Sequence, residues 1–170
     1  MFKKYINQLI SYLIDKKRNI PIQLLCFKRD SRAVIPVKTH SGIFEDAAYD
    51  LYAIESFVLH PGKQLLVNTQ LSFIIPEGYW LKLRERSGLA NQGIHVLGGV
   101  IDTAYTGPIK VILYNSCSEP VSFPVHKAIC QFTIEPLTKS EIIEINNLGF
   151  NFELSNRIRG DRGFGSSDKC

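Results

Sequence analysis

The segment LLVNTQLSFIIPEGYWLKLRER, residues 65–86, sets the class of structure this chain can form. Leu65–Ile75 is rich in aliphatic side chains without helical period, Pro76-Glu77-Gly78 supplies a turn, and Trp80-Leu81-Lys82-Leu83-Arg84 alternates weakly between apolar and polar. A strand, a turn and a second strand with one wet face fit this pattern. Outward from it, Val34–Val37, Tyr49–Ala53, Phe57–His60, Ile109–Asn115 and Val121–Ile134, the last broken near Pro124, are further candidate strands. Short strands spaced by about ten residues, with turns such as Pro61-Gly62, predict an all-β sandwich or jelly-roll barrel, in which two sheets close on each other and cover their edges.

At 170 residues and 45% hydrophobic side chains, the chain has the material for one globular core and not for a disordered or collagen-like polymer. The longest apolar runs, such as Val111–Tyr114, are a few residues long. About 18 are needed to span a bilayer, so no membrane span is expected. The four cysteines, at 26, 117, 130 and 170, have neither zinc-site nor compact disulfide spacing, and a reducing, cytoplasmic setting is expected, with nuclear, mitochondrial and infected-cell locations left open.

Charge is unevenly placed. Residues 1–32 carry eight Lys or Arg against two Asp, whereas residues 33–170 carry 12 basic against 14 acidic. The body is therefore slightly acidic, which argues against nucleic acid as its partner. Within residues 1–25, a basic extension, Ile6, Leu9, Ile10, Leu13 and Ile14 fall at helical spacing ahead of Lys16-Lys17-Arg18. Polar residues interrupt the apolar stretch and no small-residue cleavage site follows, so a secretion signal is not indicated. Residues 26–145 form the expected β domain. Residues 146–170 are rich in Asn, Gly, Ser and charge and are expected to be a mobile arm.

Four clusters carry candidate chemistry. Asp50, within Ala48-Tyr49-Asp50-Leu51-Tyr52, lies near a strand start, where a turn aspartate is the plainer alternative. Arg86-Ser87-Gly88-Leu89-Ala90 joins a guanidinium, a hydroxyl and a flexible backbone donor, a set that suits phosphate oxygens. Gly98–Lys110 contains two β-prone runs around Asp102 and Tyr105, and a hairpin is expected there. In the arm, Arg159-Gly160 and Gly163-Phe164-Gly165-Ser166-Ser167 combine an arginine, glycine amides and a lone aromatic, which suits a phosphate-binding flap.

Taken together and in this order, the clusters resemble the motifs of the homotrimeric dUTPase family, the dUTP diphosphatases. Motif one resembles Ala48–Tyr52, motif two Arg86–Ala90, motif three Gly99-Val100-Ile101-Asp102 with Tyr105 and Gly107, and motif five Arg159–Ser166. Motif four is partial. The family has Gly-Asp-Arg ahead of Ile-x-Gln, and this chain has His126-Lys127-Ala128 before Ile129-Cys130-Gln131.

The resemblance implies a jelly-roll subunit and a homotrimer with active sites at subunit boundaries, each closed by the arm of another subunit. It implies hydrolysis of dUTP to dUMP and pyrophosphate, keeping uracil out of DNA and supplying dUMP for dTMP synthesis. Asp102 would activate the water that attacks the α-phosphorus, and Tyr105 would stack under the deoxyribose and exclude a 2′-hydroxyl. Main-chain groups of Gly99, Val100 and Ile101, and those near Lys110, would read uracil. Arg86, Ser87 and Gly88 would grip phosphates, and Gln131 would reach the α-phosphate. Arg159, Gly165, Ser166 and Ser167 would embrace the distal phosphates, with Phe164 laid on the base. Mg2+ would be held mainly by phosphates and waters, with Asp50 reaching it through water.

Ala48 stands where the family usually has Gly, Glu85 where it commonly has Pro, and Arg162 where Gly is frequent. The altered fourth motif removes an Asp and an Arg that could serve a subunit contact or the metal, yet keeps Gln131. The homologous dCTP deaminases need a catalytic Glu after the hairpin, where this chain has Ile112 and no acid between Lys110 and Asn115. A non-catalytic protein of the same fold would be expected to lose the water-activating acid or the arm, and both are present.

Overall fold

The computed structural model describes residues 21–41 and 44–144. Most of the expected extension, residues 1–20, and the whole arm lie outside them. A first compact unit ends at Leu137; of the second, the described residues 138–144 carry neither strand nor helix.

The first unit is built from strands β1 (Leu25–Lys28), β2 (Tyr49–Tyr52), β3 (Phe57–Leu59), β4 (Gln64–Asn68), β5 (Leu71–Ile74), β6 (Tyr79–Arg84), β7 (Ile94–Leu97), β8 (Val100–Ile101), β9 (Lys110–Asn115), β10 (Val121–Phe123) and β11 (Ala128–Pro136), with one helical turn, α1 (Ser87–Ala90). Among the described residues they pair antiparallel into sheets ordered β2-β11-β6-β8, β4-β9-β7, β1-β5 and β10-β3. This is the expected all-β jelly roll.

Alternation explains the core. On β9, Val111, Leu113 and Asn115 are buried while Lys110, Ile112 and Tyr114 are not; on β6, Leu81 and Leu83 turn inward while Lys82 and Arg84 turn out. Phe132 of β11 stacks on Tyr49 at 5.3 Å between ring centroids and meets Phe73 at 5.4 Å. Fully burying a ring of this size stabilises by roughly 1.5–3 kcal/mol. Asn115 is also fully buried, and its side chain is satisfied: Nδ2 donates to Leu59 O and Glu119 O, both at 2.9 Å, and Oδ1 accepts from Cys117 N at 2.8 Å.

Three sequence expectations change. Val34–Val37 forms no strand. Leu65–Ile75 is two strands, because the chain turns a corner at Thr69-Gln70. Gln70 sits at φ 58, its N–H takes Asn68 Oδ1 at 2.9 Å, and the Thr69 hydroxyl donates to Ile109 O at 2.9 Å. The hairpin over Gly98–Lys110 is wider than expected. Its paired arms are β7 and β9, from Ile94↔Asn115 to Leu97↔Ile112, whereas β8 leaves them to pair with β6 through Val100↔Lys82 and Ile101↔Leu81. Gly98 and Gly99, both at positive φ, make that change of sheet possible, and a Cβ on Gly99 would lie 3.1 Å from Leu83 O.

Candidate active site

β2, β11 and β6 lie side by side, and their registers place Asp50 opposite Gln131 and Gln131 opposite Arg84. Directly opposite residues share a face. These three side chains therefore open onto one cleft of about 680 Å³, which Arg86, Ser87 and Gly88 complete where β6 runs into α1.

Within it, Arg86 Nε donates to Asp50 Oδ1 at 2.9 Å, and the Gln131 side-chain amide donates to the main-chain oxygen of Glu85 at 2.7 Å, which brings it to the start of the Arg-Ser-Gly turn. Leu89 and Ala90 N–H bond back to Arg86 O. Ser87 and Gly88 N–H precede the first bond of the turn and have no acceptor within it. Arg84 Nη2 donates to Glu135 at 3.0 Å and its Nε to the Thr133 hydroxyl at 3.2 Å. The Thr133 hydroxyl and then Arg84 hold the Glu135 carboxyl below its usual range. On the far wall the main-chain N–H and then the ring of His40 do the same for Asp46.

A second cleft of about 390 Å³ lies at the other end of β6, lined by Trp80, Val100, Asp102, Thr103, Ala104 and Leu137. Asp102 is exposed there, one residue past Ile101. Leu83 N–H donates to Gly99 O at 2.8 Å. Gly99 and Ile101 therefore turn their main-chain groups toward β6, and by alternation those of Val100 face the open edge of the sheet. Tyr105 is fixed by its N–H to Asp102 O at 3.0 Å and its hydroxyl to Pro108 O at 2.9 Å. A Cβ on Gly107 would fall 2.5 Å from the Tyr105 hydroxyl, so a larger residue there would have to displace that ring. Lys110, exposed, opens β9 opposite Asn68.

The structure thus groups Asp50, Arg86, Ser87, Gly88 and Gln131 in one cleft and Val100 and Asp102 in the other, with Gly99, Ile101 and Tyr105 around the second. Arg159, Phe164, Gly165, Ser166 and Ser167 lie outside the described residues. Sequence reasoning missed Arg84 and Thr133. Arg84 is two residues before Arg86, and strand period two would have placed both on the same face.

The family model for dUTPase matches residues 33–168. The chain belongs to the dUTPase family. The deoxyuridine 5′-triphosphate nucleotidohydrolase of Nautilia profundicola is 40% identical over 145 residues, covering 84% of this chain and 96% of that one. Among solved structures, the dUTPase of Staphylococcus bacteriophage 80alpha with dUPNHPP has a TM-score of 0.74 at 23% identity, covering 86% of this chain and 99% of that one. A dUTPase variant from phage phi11 of S. aureus, solved to show the coordination of a structural Mg(II) ion, has a TM-score of 0.68 at 21% identity, covering 75% of this chain and 99% of that one.

Against the family pattern, His126 occupies the usual glycine position of motif four. It has φ 61, the left-handed region that glycine adopts freely and histidine tolerates better than most residues. Its ring makes a 3.1 Å hydrogen bond with Arg32 O. Ala48, also at a usual glycine position, is not at positive φ, so that substitution carries no backbone strain. Among the described residues no helix is long and apolar enough to cross a membrane.

Proposed function

We infer that this dUTPase hydrolyses dUTP to dUMP and pyrophosphate in sites shared between copies of the chain. The observation that carries the shared site is the geometry of β6. Ile101 faces Leu81, so Asp102 lies level with Trp80, while Arg86 follows six residues further along. At about 3.3 Å per residue, roughly 20 Å separates them. One copy therefore cannot place Asp102 on water beside a phosphate gripped by its own Arg86. Two copies can, and a closed homotrimer repeats that junction three times.

At such a junction Asp102 accepts a proton from the water attacking the α-phosphorus, as a general base within hydrogen-bond reach. Val100 offers main-chain N–H and C=O to the uracil edge. Cytosine, with donor and acceptor reversed, would leave them unpaired. The anchored Tyr105 ring packs on the deoxyribose where a 2′-hydroxyl would need space. From the neighbouring copy, Arg86, Ser87 and Gly88 hold phosphate oxygens, and Gln131, positioned by Glu85 O, reaches the α-phosphate. Arg159, Phe164, Gly165, Ser166 and Ser167 close the site from the arm, residues 146–170.

Among the described residues no three His, Cys, Asp or Glu side chains converge, and Asp50 is already paired with Arg86. A cleft whose two carboxylates, Asp46 and Asp50, are both engaged by neighbours, among several donors to phosphate, fits Mg2+ carried chiefly by the polyphosphate, with Asp50 touching it through water. When bound, Mg2+ offsets charge on the leaving pyrophosphate. Pyrophosphate release from dUTP, compared with dTTP, dCTP and UTP in the presence of Mg2+, tests base and sugar selection together. Wild type no faster than Asp102→Asn would refute the assignment.

A further inference from the structure

We propose that Arg84 is a second phosphate-gripping arginine of the cleft, held on Glu135 until a polyphosphate enters. The proposal rests on the assignment of this cleft to substrate phosphates. Arg84 ends β6, Arg86 follows two residues on in extended backbone at the start of α1, and both line the 680 Å³ cleft. Arg84 sits directly opposite Gln131, the side chain assigned to the α-phosphate.

Its present partners allow it to move. The Thr133 hydroxyl donates to Glu135 Oε1 at 2.7 Å while accepting from Arg84 Nε at 3.2 Å. Glu135 therefore keeps a donor when the guanidinium fork leaves it, and its carboxylate, 30% exposed, can take water in exchange. Arg84 can keep Nε on Thr133 and turn its terminal nitrogens to phosphate, the bidentate geometry in which arginine exceeds lysine. The charges on the walls favour the exchange. Asp46 is engaged by His40 and Asp50 by Arg86, so a polyanion meets no carboxylate that lacks a cationic or hydrogen-bonded partner. An exposed ion pair such as Arg84–Glu135 is weak, whereas a charge-assisted bond to a multiply charged phosphate is stronger.

The test uses the full chain with inorganic tripolyphosphate, dUMP and dUTP. Calorimetric titration of Arg84→Gln with tripolyphosphate should show affinity falling about tenfold or more, with a smaller loss for dUMP, whose single phosphate offers the guanidinium fewer oxygens. With dUTP the same variant should raise KM more than it lowers kcat, and Arg84→Lys should recover part of the loss. Glu135→Gln, which releases Arg84, should bind tripolyphosphate more tightly than wild type. Unchanged tripolyphosphate affinity in Arg84→Gln overturns the proposal. So does an equal loss for dUMP, or a change in oligomeric state that accounts for the loss. Tripolyphosphate binding needs no turnover, so a wild type inactive on dUTP would refute the enzymatic assignment and still leave the arginine measured.

Discussion

Arg86 and Asp50 form a 2.9 Å ion pair that ties the end of β6 to β2, with the two side chains 35% and 25% exposed. At that depth neither charge is fully hydrated if its partner is removed. Asp50→Ala should therefore lower stability by about 1–3 kcal/mol in urea unfolding, and Arg86→Met should do likewise. The double variant should cost less than the sum of the two, and strict additivity would mean the pair contributes nothing.

Mixing is the sharpest test of the shared site. Arg86→Gln and Asp102→Asn should each be inactive alone. Unfolded together in equal amounts and refolded, they should regain about a quarter of wild-type activity, since half the copies supply an intact Arg86 and half an intact Asp102. Recovery near zero would place both residues in one copy's site.

Asp102→Asn keeps size and polarity and removes only the basic oxygen. Turnover of dUTP should fall by about 10²- to 10⁴-fold with dUMP affinity nearly unchanged. A comparable loss in dUMP binding would assign Asp102 to binding instead of proton transfer.

How much of this was legible in the sequence depended on whether the signal was local. The strands of β2, β6, β9 and β11 were readable from β-prone runs with turn residues between them, and motifs two and three marked their own positions. The corner at Thr69-Gln70 was not, because it is fixed by Thr69, whose N–H and hydroxyl both donate to Ile109 O on a distant stretch of chain, a contact no local rule announces. β7 was missed for a similar reason. Its pairing with β9 is long-range, and the glycines after it suggested a hairpin tip where the chain instead changes sheet. That the candidate residues divide between two clefts required the register of β8 on β6, which is a property of pairing and not of spacing.

Acid should weaken the fold in a way that can be traced to one carboxyl, that of Asp30 in the turn before Ala33. The guanidinium of Arg32 at 2.7 Å and its main-chain N–H at 2.8 Å hold Asp30 down to about 2 from an ordinary 3.8. Because the unfolded chain binds this proton first, the contribution to stability is complete above about pH 4 and is lost as pH falls toward 2. The melting temperatures of wild type and Asp30→Asn should converge over that interval. A gap that stays constant would rule the pair out.

Phe132 is 1% exposed and packed against Tyr49 and Phe73. Phe132→Ala should cost about 3–5 kcal/mol, whereas Phe132→Leu should cost markedly less, as measured by chemical denaturation.

β6 works as a ruler. It is stapled to β11 by six successive pairs and to β8 by two, and it carries one cleft at each end. Losing or gaining a single residue between Trp80 and Arg84 would invert every side chain beyond it, turning Arg84 toward the core and Leu83 toward solvent. Surrounding loops can lengthen or shorten across descendants of this chain, but the count of residues along that strand cannot drift by one without dismantling both ends at once.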